Sequence, residues 1–536
     1  MTEENRQRRL HAPREDGAVL AEPPLAQAGA LIAGNRARLA RLSLNILGRP
    51  LADLRRQALE DTLAAARGYL QDAGEPLPDR GGPSLFMAGH QPELFHPGVW
   101  VKNFALYRLA GSDGATPINL VVDNDIAKST SLHVPVLASA DTPWPYISGV
   151  PIDRWTGEVP YEERTVRDES FFAALPDRVE PLLAGWNFVP LLAEFWEEVR
   201  RQADRTPLLG ERLVAARRTL ERRWGCHNLE LPVSLLCRTE SFAWFACHVL
   251  ANLERFHAHY NTCVHDHRRR YGIRSRNHPV PDLTKEQDWL ETPFWAWESG
   301  KQERARLFAR QIGKQVELRA GGRSWPALPL DPAGGPAHMI GVWNELDRRG
   351  LKVRSRALTN TLFARVFLAD LFIHGIGGGK YDELTDEIIR RFYQCEPPGY
   401  LVLSATLLLP LPAYPVNAQM PRRLAREVRD LRYNPERHLP TDALADREVR
   451  DLTAQKAAWI KRRPASAQER RERFQVLRKL SGQLSRYVTR RLEEAQQELI
   501  QRQHEVAANV VLQRRDYPFC LYPERLLKPF CTQFLA

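Results

Sequence analysis

Two short apolar runs joined by one amphipathic stretch constrain this chain more than any other feature. "SLFMAG" begins at Ser84 and "INLVVD" ends at Asp123, and both read as buried strands. From about Gly98 to Ala110 the intervening residues carry helical spacing. Strand, helix and buried strand make a βαβ unit, which implies a parallel sheet with a right-handed crossover. The rhythm returns at "LADLFIHGIGGGKYDELTDEIIRRFY": an apolar strand, a glycine-rich turn and a helix from about Tyr381.

The remaining segments arrange themselves around these two units. Residues 1–80 read as a helical lead-in. Residues 81–240 hold the first part of the core with helical segments, and 341–415 hold the second part with the glycine-rich loop. Between them, 241–340 reads as a helical and β-rich insertion. It opens on one helix over 241–272, striped by Phe242, Phe245, Val249, Leu253, Phe256 and Tyr260. Short antiparallel strands follow. Residues 416–536 read as a helical, coiled-coil-like region, because Leu477, Leu480, Leu484, Val488, Leu492, Ala495 and Leu499 recur at steps of three and four. The closing "YPFCLYPERLLKPF" is expected to pack back on the body.

In a parallel sheet, ligands gather where strands end and helices begin. Helix N-termini there offer unpaired N–H groups and partial positive charge. The first such turn is "GHQPELFHPGVWVKNF". His90 and His96 can donate hydrogen bonds to a phosphate, Gly98 allows a close backbone approach, and Lys102 adds charge one turn into the helix. The second is "VVDNDIAK", where Asp123 and Asp125 suit a ribose hydroxyl, a substrate amine or Mg²⁺. The third is Gly377, Gly378, Gly379 and Lys380, a glycine run suited to cradling phosphate, although its spacing is neither a Walker A motif nor G-x-G-x-x-G. A basic loop of Arg274, Arg276, Asn277 and His278 offers guanidinium forks for carboxylate or phosphate. The pairs His257/His259 and His265/His267 sit two apart on a helix, so they diverge and read as surface or edge histidines.

Charge narrows the partners. The net charge of +11 suits an anionic small molecule or a nucleic acid. The arginines are spread along the chain, which favours the small molecule. No apolar run reaches the ~18 residues needed to span a bilayer. The opening residues lack a signal-peptide core, and the seven cysteines are scattered with no C-x-x-C pair, so a cytoplasmic location is expected.

These blocks resemble the cysteine-adding enzyme family of bacillithiol biosynthesis (BshC-like proteins). The family's "GQQPGLFGGP" turn is followed at Gly89, His90, Gln91, Pro92, Leu94 and Phe95, with His90 in place of Gln and Glu93 in place of Gly. Its "EDHD" is met by Asp123 and Asp125, with Val122 and Asn124 replacing the Glu and His. Arg356, Gly377 and Gly378 match its arginine and "GGP-x-E" turn, with Tyr381 standing where the Glu would be. The resemblance implies an α/β fold with a Rossmann-like core, helical insertions and a coiled-coil element that supports a homodimer. It also implies adenine-nucleotide (ATP or ADP) binding and amide-forming ligase or transferase chemistry on a small amine substrate. Gly89 and Gln91 would then belong to the nucleotide turn. His90, Asp123, Asp125 and Arg356 would serve the chemistry, with Arg356 holding a carboxylate. Two alternatives come from other classes: a nucleic-acid-binding or assembly protein using the basic helical C-terminus, and a metal-dependent hydrolase built on the two aspartates and nearby histidines.

Overall fold

The computed structural model describes residues 10–78, 81–127, 131–274, 280–301, 303–330 and 335–535. Six strands form the central sheet: β1 (Val19–Glu22), β2 (Leu85–His90), β3 (Thr116–Val121), β4 (Leu229–Pro232), β5 (Leu371–His374) and β6 (Leu401–Ala405). Their spatial order is β1-β6-β5-β2-β3-β4. β2 through β6 run parallel, and β1 closes one edge antiparallel to β6.

Alternation along the strands divides the sheet into two apolar faces, as a period of two requires. Leu85 and Met87 of β2 point to one face, and Phe86 and Ala88 to the other. The first face is covered by α1 (Leu51–Asp72), and the second by α2 (Pro97–Asp113) and α3 (Leu209–Arg223). α4 (Glu240–Ala251), α5 (Leu253–Tyr271) and α6 (Ile376–Ile388) join α1 on the first face. Both faces of the parallel strands are therefore buried, which explains their nearly continuous apolar sequence. The closing aromatic stretch does pack back, with Tyr517, Phe519, Leu521 and Tyr522 in the second core.

One edge of the sheet carries a buried charge cluster. Glu230 of β4 is fully buried and accepts from Arg217 and Arg218 of α3, with Asn119 Nδ2 at 3.0 Å.

Three elements differ from the sequence reading. The helix expected over 241–272 is two helices, because Asn252 leaves helical geometry and its side-chain amide donates to the His248 carbonyl at 2.9 Å. The inserted antiparallel sheet (Trp289–Glu298, Ala305–Ile312, Gln315–Ala320 and Arg323–Pro329) recruits a further strand, Leu351–Ser355, from beyond the expected boundary. The glycine run is not a loop before a helix. Gly377, Gly378 and Gly379 lie in the first turn of α6, with Gly375 as N-cap.

The C-terminal leucine stripe is divided as well. Ala467–Ser485 and Thr489–Leu512 are separate helices, packed against Arg447–Lys461 and Gln419–Tyr433 respectively. Leu480 and Leu484 cluster with Val449 and Leu452, and Val488 and Ala495 cluster with Leu431. The stripe thus finds partners within the chain. No helix among the described residues is long and apolar enough to cross a membrane.

Candidate functional site

The chain order reverses at the middle of the sheet. From β2 it runs through α2 to β3 on one side, and from β5 through α6 to β6 on the other, while β2 and β5 are hydrogen-bonded neighbours. α2 and α6 lie on opposite faces, so their N-termini diverge from adjacent strand ends and leave a crevice between them. Open parallel sheets bind ligands at such a switch point.

A cavity of about 790 Å³ opens there. It is lined by Gly89, His90, Gln91, His96, Gly98 and Lys102 from the first turn, Asp125 from the second, and Gly377, Gly378 and Lys380 from the third, together with Arg356. Segments as far apart in sequence as 89 and 380 therefore meet at one cleft.

Two expected residues lie outside it. Asp123 turns toward a smaller cavity with Tyr161, Glu162 and Ser234. Its carboxylate accepts from the Ser234 amide at 2.9 Å and from the Ser234 hydroxyl. Burial, aided by Glu162, raises it to about 7. Asp123 and Asp125 therefore line different cavities. Among the described residues no group of three or more His, Cys, Asp or Glu is placed to hold a metal ion. Gly379 is buried, and an added Cβ would come within 2.5 Å of Val402 Cγ2, so this glycine serves packing. Arg276, Asn277 and His278 of the basic loop lie outside the described residues.

Gly98 has a different reason from the one expected. A Cβ at this position would meet the Ala405 carbonyl oxygen at 2.0 Å. The close approach is between the start of α2 and the end of β6, which narrows the crevice. Gly377, by contrast, has nothing within 4 Å of an added Cβ, so the start of α6 is open to the cavity.

The cavity's electrostatics are one-sided. Lys102 is 3% exposed, and its Nζ donates to the Gly89 carbonyl at 3.2 Å. Burial lowers it to about 8. Arg356 pairs with Glu291 at 2.7 Å, and its Nε is buried without a hydrogen-bond partner. Arg515 also lines the cavity and leaves its Nε unpartnered. Asp125 is the acid of the wall, bonded to Gln91 Nε2 at 3.0 Å and to Arg304 Nη1 at 3.3 Å. Burial, with Lys102 nearby, lowers His90 to about 3, and burial, with Arg515 nearby, lowers His96 to about 4. Both rings are neutral near pH 7, so they offer hydrogen bonds rather than charge.

Sequence reasoning missed the contribution of the inserted sheet. Arg304 and Arg356 each stack on Trp295, at 4.2 and 4.1 Å from the ring centroid. Trp295 and Arg304 form one wall of the cavity. The clue was the aromatic run "PFWAWE", but nothing local to it says which sheet edge it will cover. Buried acceptors without partners, Asn124 Oδ1 and Asn360 Oδ1, complete a lining that mixes unfilled donors and acceptors. No protein-family model matches the sequence, and no curated protein matches it significantly.

Proposed function

We propose that the protein is a nucleotide-binding ligase or transferase of the BshC-like type, with a Rossmann-like core and a phosphate-bearing ligand in the switch-point cavity. The single observation that carries this reading is Lys102, a buried ammonium that faces the cavity with one hydrogen bond and no carboxylate partner among the described residues. Burying a cation is costly unless an opposite charge arrives. The first turn of α6 adds unpaired N–H groups on one side, and α2 adds that of Gly98 on the other, because Pro97 has no N–H and Val99 donates to the His96 carbonyl at 2.9 Å.

In this reading Lys102, the first turn of α2 and the first turn of α6 hold the phosphates of ATP or ADP. Gln91 and Arg304 fix Asp125 beside them. Arg356 and Arg304, steadied by Trp295, hold an anionic group of the second substrate. Catalysis would come from preorganised donors stabilising charge on a transferring phosphoryl or acyl-phosphate group. A small amine as acceptor follows from the sequence resemblance.

Calorimetric titration of the intact protein with ATP, ADP and AMP tests the reading. Saturable binding that strengthens with the number of phosphates is expected. No binding of any of the three would remove it.

A further inference from the structure

The cavity contains a second arrangement, which the phosphate-binding elements do not use. His374 is the last residue of β5 and is 6% exposed, and it lines the cavity floor. Its Nε2 lies 2.8 Å from Asp382 Oδ2. Asp382 is 1% exposed and sits further along α6. Arg365 Nη1 donates to the same carboxylate at 2.6 Å and Thr361 Oγ1 at 2.7 Å. Burial alone would raise the Asp382 carboxyl, but Arg365 and His374 outweigh it and hold the group well below the ordinary carboxylate range.

The Asp382 carboxylate can only accept, so in the neutral His374 ring the hydrogen sits on Nε2. Nδ1 is then left with a bare lone pair. None of the hydrogen bonds of His374 among the described residues uses Nδ1. The ring is held by Phe372, with centroids 4.5 Å apart, and by the edge of Tyr400 at 5.1 Å. Nδ1 lies beside Gly378, where an added Cβ would come within 2.8 Å of it. Glycine therefore keeps that approach open, next to the unpaired N–H groups that begin α6. The ionisable and charged groups around the ring are Asp382, Arg365 behind it and Tyr400.

We propose that His374 is the proton acceptor of this site and that Asp382 positions it. The inference rests on the nucleotide reading above. Nδ1 takes the proton from an attacking amine or hydroxyl of the second substrate. The electron pair left on that atom forms the new bond to the transferring phosphorus or acyl carbon. The bond to the leaving oxygen breaks, and the proton returns to that oxygen. Of the cavity's histidines, His374 alone is hydrogen-bonded to a buried carboxylate. His90 contacts the Gln91 carbonyl at 3.2 Å, and His96 Nδ1 is buried without a partner. This is the orientation that a base needs, with one ring nitrogen held by an acid and the other facing the reacting group.

Carbethoxylation of the intact protein by diethyl pyrocarbonate, read by peptide mass spectrometry, tests the proposal. His374 is expected to react. Saturating MgATP is expected to slow that reaction by about tenfold or more. His374→Gln, whose amide can still donate to Asp382, is expected to bind ATP with affinity of the same order and to lose the protected modification. An unreactive His374 in folded protein overturns the proposal. So does a reaction rate that ATP leaves unchanged while calorimetry shows ATP bound. Absence of ATP binding in calorimetry is the separate result that removes the nucleotide reading, and this inference falls with it.

Discussion

Lys102 Nζ donates to the carbonyl oxygen of Gly89 at 3.2 Å, from one helical turn inside α2 to the end of β2, and the residue is only 3% exposed. An ammonium has three N–H groups, and this contact fills one. Burial lowers the group from 10.5 to about 8, so a phosphate arriving beside it should restore its proton affinity.

Nucleotide binding is therefore expected to take up protons at a pH of about 8.5. Calorimetry in two buffers of different ionisation enthalpy measures this directly. Lys102→Met is expected to abolish the uptake and to weaken binding by about 10- to 100-fold, the loss of one charge-assisted bond. The same shift has a stability consequence. The folded state binds this proton less tightly than the unfolded chain, so the cost of burying Lys102 is full below about 8 and is relieved as pH rises toward 10.5. The Met variant should lack that rise.

Two glycines of the site should separate folding from binding. Gly98→Ala places a methyl 2.0 Å from the Ala405 carbonyl oxygen and is expected to cost about 2 kcal/mol or more in urea unfolding. Gly377→Ala meets nothing within 4 Å and lies in a helix, so stability should hold or rise by up to about 1 kcal/mol. Its methyl borders the cavity at the proposed phosphate position, so ATP affinity should fall.

Asp123 should reveal itself through pH. Burial raises its folded-state value from 3.8 to about 7, so the folded chain holds this proton more tightly than the unfolded chain. Its contribution to stability is full below 3.8 and is lost as pH rises through about 7. Asp123→Asn removes that dependence. The melting temperature of the variant relative to the parent should be higher at pH 8 than at pH 5, by thermal melts in matched salt.

Glu230→Gln probes the edge of the sheet. Removing the shared carboxylate leaves Arg217 and Arg218 buried with reduced compensation, although Glu221 and Glu75 still pair with them. A loss of about 3–5 kcal/mol is expected in chemical denaturation.

Much of this site was legible in the sequence because it is local. A buried strand followed by Pro97 and an amphipathic helix specifies a strand end and a helix start, and Lys102 falls one turn in by spacing alone. The position of Gly377 and Gly378 was found in the same way, although the run reads as a loop and folds as the first turn of α6. What was not legible depends on distant contacts. Asp123 and Asp125 are two residues apart, but after β3 ends the chain leaves strand geometry, and Ser234 captures Asp123 away from the cavity. The reason for Gly98 lies in Ala405, some three hundred residues away in sequence. Arg304 and Trp295 reach the site because the inserted sheet folds over the switch point, which no periodicity within 280–335 announces. His374 read as the end of an apolar strand, and its partner Asp382 as a first-turn acid of a helix. Their pairing requires the helix to begin five residues earlier than the glycines suggest.

Hydrogen exchange of the intact protein with and without ATP tests the central claim most directly. Bound phosphate at the switch point should slow exchange together in peptides covering 96–102 and 375–380, because the Gly98 amide of α2 and the first amides of α6 both face it. Protection confined to one of these segments, or to the C-terminal helices, would contradict a ligand held between the two helix starts.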